Sequence, residues 1–207
     1  MPFDFFISAL VTLLVVVDPL GLVPIFVSLT KGLPAKARRQ VALRASLIAF
    51  AILCGATLIG SWLLNKLGIG LPAFRIAGGL LLFSIASEMV FGVRIVRKSH
   101  EAEAAIDDQV RNIAAFPLAI PLMAGPGAIT AAILLAGRAG QDIVRLGSLI
   151  AVIAIVLISC LLAFMIGARL AKLLGVTGNI VLERLLGVIL AALAVQFVID
   201  GVRAAWA

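Results

Sequence analysis

The chain has 207 residues, 63% of them apolar and 13% charged, with a formal net charge of +7. Soluble domains are roughly 45–50% apolar, so this composition describes a polytopic membrane protein and leaves no room for a separate soluble domain. The basic balance belongs to loops that flank membrane helices; the partner it implies is the lipid bilayer, not nucleic acid.

A membrane-spanning helix needs about 20 residues. Apolar runs predict six of them, at about 4–30, 39–65, 71–92, 112–136, 146–173 and 180–205. The opening "MPFDFF" lacks the basic start of a cleaved signal, so the first helix is expected to stay. That first span contains "VVVDPLGLVPIF", residues 15–26, where an aspartate, a glycine and two prolines interrupt an apolar run. Cys54 in span two and Cys160 in span five read as packing residues. Between spans three and four lies the most polar loop, 94–112, with the single histidine, His100. No His/Cys metal cluster and no cofactor are expected.

The loops after spans one, three and five carry twelve Lys and Arg residues, and the opposite side carries five. The positive-inside rule then sets both termini outside the cytoplasm, in a multi-pass protein of the cytoplasmic membrane.

The chain repeats itself. "RIAGGLLLFSIASEMVFGVR" (75–94) aligns without a gap on "RLLGVILAALAVQFVIDGVR" (184–203), with six of twenty positions identical, including Arg–Gly at one end and Gly-Val-Arg at the other. Span one holds "DPLGLVP" and span four "IPLMAGP", both with the pattern P-L-x-x-x-P. Pro19 matches Pro121 in that register and Pro126 in another. Each half, about 1–93 and 113–207, has three spans. Three is odd, so the halves cross the membrane in opposite senses. The expected fold is an all-α membrane domain of two inverted three-helix repeats, with helices one and four interrupted. Such paired interruptions point to a transporter's midplane site.

The interruptions carry chemistry. Asp is a good N-cap and Pro a good first helical residue, so Asp18-Pro19 reads as a helix start inside a span. Gly125-Pro126 has the same grammar. Free N–H groups at a helix start attract anions, and Gly21, Gly125 and Gly127 leave room for a small ligand. A carboxylate suits the acid-free second start. Asp18 suits an ammonium group, a proton or a sodium ion, so the pair suits a small zwitterionic solute. An Asp at mid-membrane costs roughly 2.5–3.5 kcal/mol and is usually functional; a purely capping Asp is the alternative. Pro24 and Thr130 flank the two starts. Ser87, Glu88 and Gln196 are further polar positions for a cavity, with Ser87 aligned on Gln196. Asp200 is expected to pair with Arg203.

Four stretches, "DPLGLVPIFVSLT", "FRIAGGLLLFSIASEMVFG", "IPLMAGPGAIT" and "ERLLGVILAALAVQFVIDG", resemble the MarC family of bacterial and archaeal inner-membrane proteins, in order and over nearly the whole chain. The resemblance implies secondary transport of a small neutral amino acid such as glycine or alanine, as in the SnatA-type members. Carried over by motif, the implied site is Asp18, Pro19, Gly21 and Pro24 with Gly125, Pro126, Gly127 and Thr130. Many relatives have Asn where this chain has Asp18, so a proton on that residue is not a family-wide requirement.

The competing readings are an exporter of another small solute or drug, a structural or regulatory membrane protein, and an intramembrane enzyme. An enzyme needs a nucleophile with a base, or two facing acids, and the spans read here offer only Asp18 and Glu88, at mismatched depths. No G-x-x-x-x-G-K-[ST] loop is present, so a solute or ion gradient supplies the energy of any transport. Substrate, direction, coupling ion and homo-oligomer formation are left open.

Overall fold

The computed structural model describes residues 2–30, 32–92, 114–140 and 142–206. Among the described residues every regular element is helical. The expected polar loop 94–112 lies outside them.

α1 (Pro2–Val17) and α2 (Leu22–Leu29) are the two parts of the first span, bent by 44°. α3 (Ala35–Lys66) begins after Pro34, whose extended backbone (φ −63°, ψ 153°) cannot join a helix. It starts four residues earlier than the apolar run suggests. Lys36, Arg38 and Arg39 therefore ride on its first turns instead of in a loop. α4 (Leu71–Phe91) has Pro72 in its first turn and ends at Gly92, which takes the left-handed conformation at φ 76°. That is the usual role of glycine just past a helix.

The expected span 112–136 is divided. α5 (Ala114–Met123) is wound as a π-helix, and α6 (Pro126–Ala139) follows after two residues. Neither piece has the length to cross a bilayer alone. Pro117 and Pro121 fall within α5, and a proline has no N–H to donate to the carbonyl four residues back. The wider i→i−5 bond from the Ala124 N–H to the Ala119 carbonyl (2.8 Å) closes the segment.

α7 (Ile143–Met165) starts on Asp142, whose carboxylate accepts from the Val144 and Arg145 amides at 2.9 and 3.2 Å. It stops at Ile166, short of the expected 173. α8 (Gly167–Trp206) then runs through the stretch where a loop is expected. Gly167 sits at that break. A Cβ there would meet Val23 and Val27 of α2 at 3.3 and 3.4 Å, so the glycine lets α8 begin tightly against the first span.

Among the described residues four helices are long and apolar enough to cross a membrane, in α3, α4, α7 and the Ile180–Trp206 part of α8, and the bent α1–α2 pair makes a fifth if counted as one span. Their outer faces expose Leu47, Trp62, Leu162 and Val188, each more than half exposed. Hydrocarbon solvates such faces, so association relies on close packing and interhelical bonds.

The most extensive contact is α4 against α8. A Cβ on Gly79 would lie 2.7 Å from the Ala194 carbonyl, one on Gly187 2.8 Å from the Met89 Cβ, and one on Gly201 2.9 Å from the Pro72 carbonyl. Rising numbers on α4 meet falling numbers on α8, so the pair is antiparallel and close along its length. Elsewhere α3 packs on α5, α6 and α7, α1 on α6, α7 and α8, α2 on α7 and α8, and α4 on α6. Leu13, Phe26, Leu53, Leu82, Leu134 and Leu149 fill the centre, each under 2% exposed.

Candidate functional site

Break one follows Val17. Asp18 is 2% exposed and is the one non-glycine residue among those described with positive φ, at 58°. Its amide still donates to the Leu14 carbonyl (2.9 Å), finishing α1. Its own carbonyl accepts from the Leu22 amide (3.2 Å) and its Oδ1 from the Gly21 amide (3.0 Å). Asp18 thus ends α1 and holds the turn 18–21; the expected helix start at Pro19 is not found, because α2 begins at Leu22 after Gly21, with no side-chain cap. Asp tolerates the left-handed region better than most residues. Gly21 makes room for the carboxylate: a Cβ there would sit 2.1 Å from Asp18 Oδ2.

Break two is built without a polar side chain. Gly125 precedes α6 in extended conformation (φ −75°, ψ 174°), and no side chain caps the new helix. Pro126 is its first residue. Pro126 thus opens α6 directly, whereas Pro19 lies in the turn three residues before α2, and Pro121 lies within α5.

The two breaks adjoin. A Cβ on Gly127 would lie 3.4 Å from Val16 Cγ1, two residues before Asp18, and 2.5 Å from Ile85 Cδ1 of α4. One turn on, Thr130 is 9% exposed, and its Cγ2 would be 2.7 Å from a Cβ on Gly78. Gly78 and Gly127 thus let α4 and the start of α6 touch, beside the end of α1. Gly127 and Thr130 lie at this junction, which Asp18 reaches only through Val16, two residues before it.

The remaining candidates disperse. Pro24 and Pro126 turn exposed surfaces outward. Ser87 donates to the Phe83 carbonyl of its own helix (2.9 Å). Glu88 is half-buried one turn beyond Ile85. Gln196 is exposed and donates to Asp200 (2.7 Å), so its bond runs within its own helix. Asp200 pairs with Arg138 of α6, not with Arg203. The Arg138 guanidinium also lies 4.3 Å from the centre of the Phe197 ring, a cation–π contact. This cluster ties the end of α6 to α8.

Glu183 was missed by the sequence reading. It is 4% exposed, in the apolar part of α8. Its signal was an acid ahead of "RLLGVIL", masked by the adjacent Arg184 that marks it as a helix-end residue.

Against known proteins, the model of the MarC family integral membrane proteins matches residues 3–206. A UPF0056 membrane protein of Archaeoglobus fulgidus is 38% identical over 96% of this chain and 92% of its own length. One of Aquifex aeolicus is 37% identical over 96% and 92%. The UPF0056 membrane protein YhcE of Escherichia coli is 35% identical over 97% and 91%. No solved structure matches.

Proposed function

We propose, from the premise that this chain belongs to the MarC family of integral membrane proteins, that it is a secondary transporter of a small neutral amino acid of the glycine or alanine class. The observation that carries this reading is the approach of two interrupted helices, one break holding a buried acid in its turn and the other no polar side chain. The free amides at the start of α6 receive the carboxylate. Asp18 faces the ammonium group, or carries the proton or sodium ion that couples transport. Gly21 and Gly127 do not leave the expected room for a ligand, because the Asp18 carboxylate and Ile85 fill it; they pack the walls of the site.

In this reading α5 and α6 together form a sixth, broken span, and the chain is two inverted halves. The packing supports it. Exchange α1–α2 with α5–α6, α3 with α7 and α4 with α8. The contact of α1 with α7 then becomes that of α5 with α3, and the contacts of α2 with α7 and α8 become those of α6 with α3 and α4. The pairs α4–α8 and α3–α7 map onto themselves. Alternating access follows from rocking one half against the other around the shared site. Both termini lie outside the cytoplasm, as the twelve-to-five division of basic residues implies.

The test is uptake of labelled glycine and alanine into proteoliposomes, with and without a proton or sodium gradient, for wild type and Asp18→Asn. Asn keeps the cap and the backbone conformation but not the charge. Gradient-driven uptake by wild type, lost in Asp18→Asn, supports coupling or amine binding at Asp18. Uptake that survives the change makes Asp18 a helix cap only. No uptake by wild type under any gradient refutes this substrate class.

A further inference from the structure

A second feature lies along the seam of α3 and α7, away from the helix breaks. A cavity of about 270 Å³ opens at the start of α3, lined by Ala35, Arg38, Arg39 and Ala42 with Phe164 and Met165 of α7, and by Phe26 of α2. Phe26 stacks on Phe164 with ring centres 4.4 Å apart, giving a rigid floor. Among the described residues no carboxylate lines this cavity. Arg38 Nε is buried with no hydrogen-bond partner, and among the described residues neither guanidinium makes an ion pair.

A second cavity, of about 200 Å³, lies next along the same seam. On α3 it is lined by Leu43, Ser46, Leu47 and Phe50, and on α7 by Ala154, Leu157, Ile158 and Leu161. The α3 residues of both cavities form one stripe at three- and four-residue spacing (35, 39, 42, 46, 50), and those of α7 another (154, 157, 161, 164). Rising numbers on α3 meet falling numbers on α7, so the polar pocket and the apolar groove are consecutive. Residues 38 to 50 rise about 18 Å along a helix, close to the roughly 15 Å of one leaflet's hydrocarbon. Leu47 and Ile158 are 59% and 54% exposed, so the groove opens to lipid. Between pocket and groove Ser46 is 8% exposed, and its Oγ has no hydrogen-bond partner.

We propose that the α3/α7 seam holds one anionic phospholipid, with its phosphate on Arg38 and Arg39 and an acyl chain in the groove. The phosphate supplies the acceptors that the two guanidiniums lack, in the bidentate manner arginine favours. Ser46 donates to an ester carbonyl where head and tail meet. The groove excludes a purely soluble anion as the whole ligand, and the arginine pair selects against zwitterionic lipid. The inference does not depend on transport.

The experiment is native mass spectrometry of the full chain in mild detergent. Phosphatidylglycerol and phosphatidylcholine of equal chain length compete, with glycerol 1-phosphate as a headgroup-only competitor. Wild type is expected to prefer phosphatidylglycerol by about fivefold for each arginine engaged. Arg38→Gln/Arg39→Gln brings the preference close to one. Ile158→Trp, at an exposed position, fills the groove with both arginines in place and lowers retention of phosphatidylglycerol at least fivefold. Equal retention of the two lipids by wild type overturns the proposal. So does an unchanged preference in the double variant, unchanged retention in Ile158→Trp, or displacement of lipid by equimolar glycerol 1-phosphate.

Discussion

At residues 18–21 the chain separates two helices with a buried aspartate at φ 58° whose carboxylate holds the Gly21 amide. At residues 124–125 it separates two helices with alanine and glycine, and no side chain reaches the new helix start. The first break satisfies its orphan amide from within, so its stability rests on one side chain. The second leaves that work to a neighbour or a ligand. Under the proposed transport of zwitterions, the first break already holds an anion and the second is where an incoming carboxylate gains most.

The comparison can be broken most directly at Asp18. Asp18→Ala removes the cap and forces a Cβ residue less tolerant of the left-handed region into φ 58°. The expected loss is about 2 kcal/mol, from a cap of about 1 and a backbone cost of similar size. Thermal unfolding of the purified protein would read it, and an unchanged midpoint would mean the carboxylate does not hold the break. Gly127→Val tests the other side. Its Cβ would sit 2.5 Å from Ile85 Cδ1, and overpacking of this kind costs about 1–3 kcal/mol. Wild-type stability here would show that the junction is loose.

Two smaller changes sharpen the contrast. Gly125→Asp supplies the cap that break two lacks, for a gain of only a few tenths of a kcal/mol. It also sets a negative charge where a carboxylate substrate would bind, so uptake is expected to fall at least tenfold while the unfolding midpoint holds or rises. Intact uptake would remove the second helix start from the binding site. Asp18→Asn is the smallest in stability, within about 0.5 kcal/mol, since Asn caps as well as Asp and tolerates the same backbone. A large destabilisation by Asp18→Asn would show that the negative charge itself holds the junction.

Much of the site was legible at short range. "DPLG" announces a helix start because Asp, Pro and Gly each have a local reason to be there, and the Asp18–Gly21 bond spans only three residues. "AGPG" announces the second start in the same way. Ser87 and Gln196 were legible as polar but not in their partners, because a membrane-helix hydroxyl or amide can satisfy itself on its own helix, as both do here. Asp200 was misassigned to Arg203, three residues away. Arg138 is remote in sequence, and only the packing of both α6 and α8 on α4 brings it close. The end of the fifth span was misread because hydropathy does not fall at Ile166; the break is set by Gly167 packing on α2.

By itself the sequence determined that the chain lives in a bilayer, where its long spans start and stop to within a few residues in most cases, and that its helices break near Asp18 and Gly125. Those properties follow from apolar run length and from the local preferences of Asp, Pro and Gly, which act over one helical turn. Tertiary structure alone decided that the two interruptions adjoin and that α4 and α8 lie antiparallel through glycine contacts. It alone decided that Arg38 and Arg39 share a seam with the apolar face of α7. Each of these depends on which helix faces stack. In hydrocarbon that choice is made by close shape fit between small residues, a property of pairs of surfaces that one strand of sequence does not display.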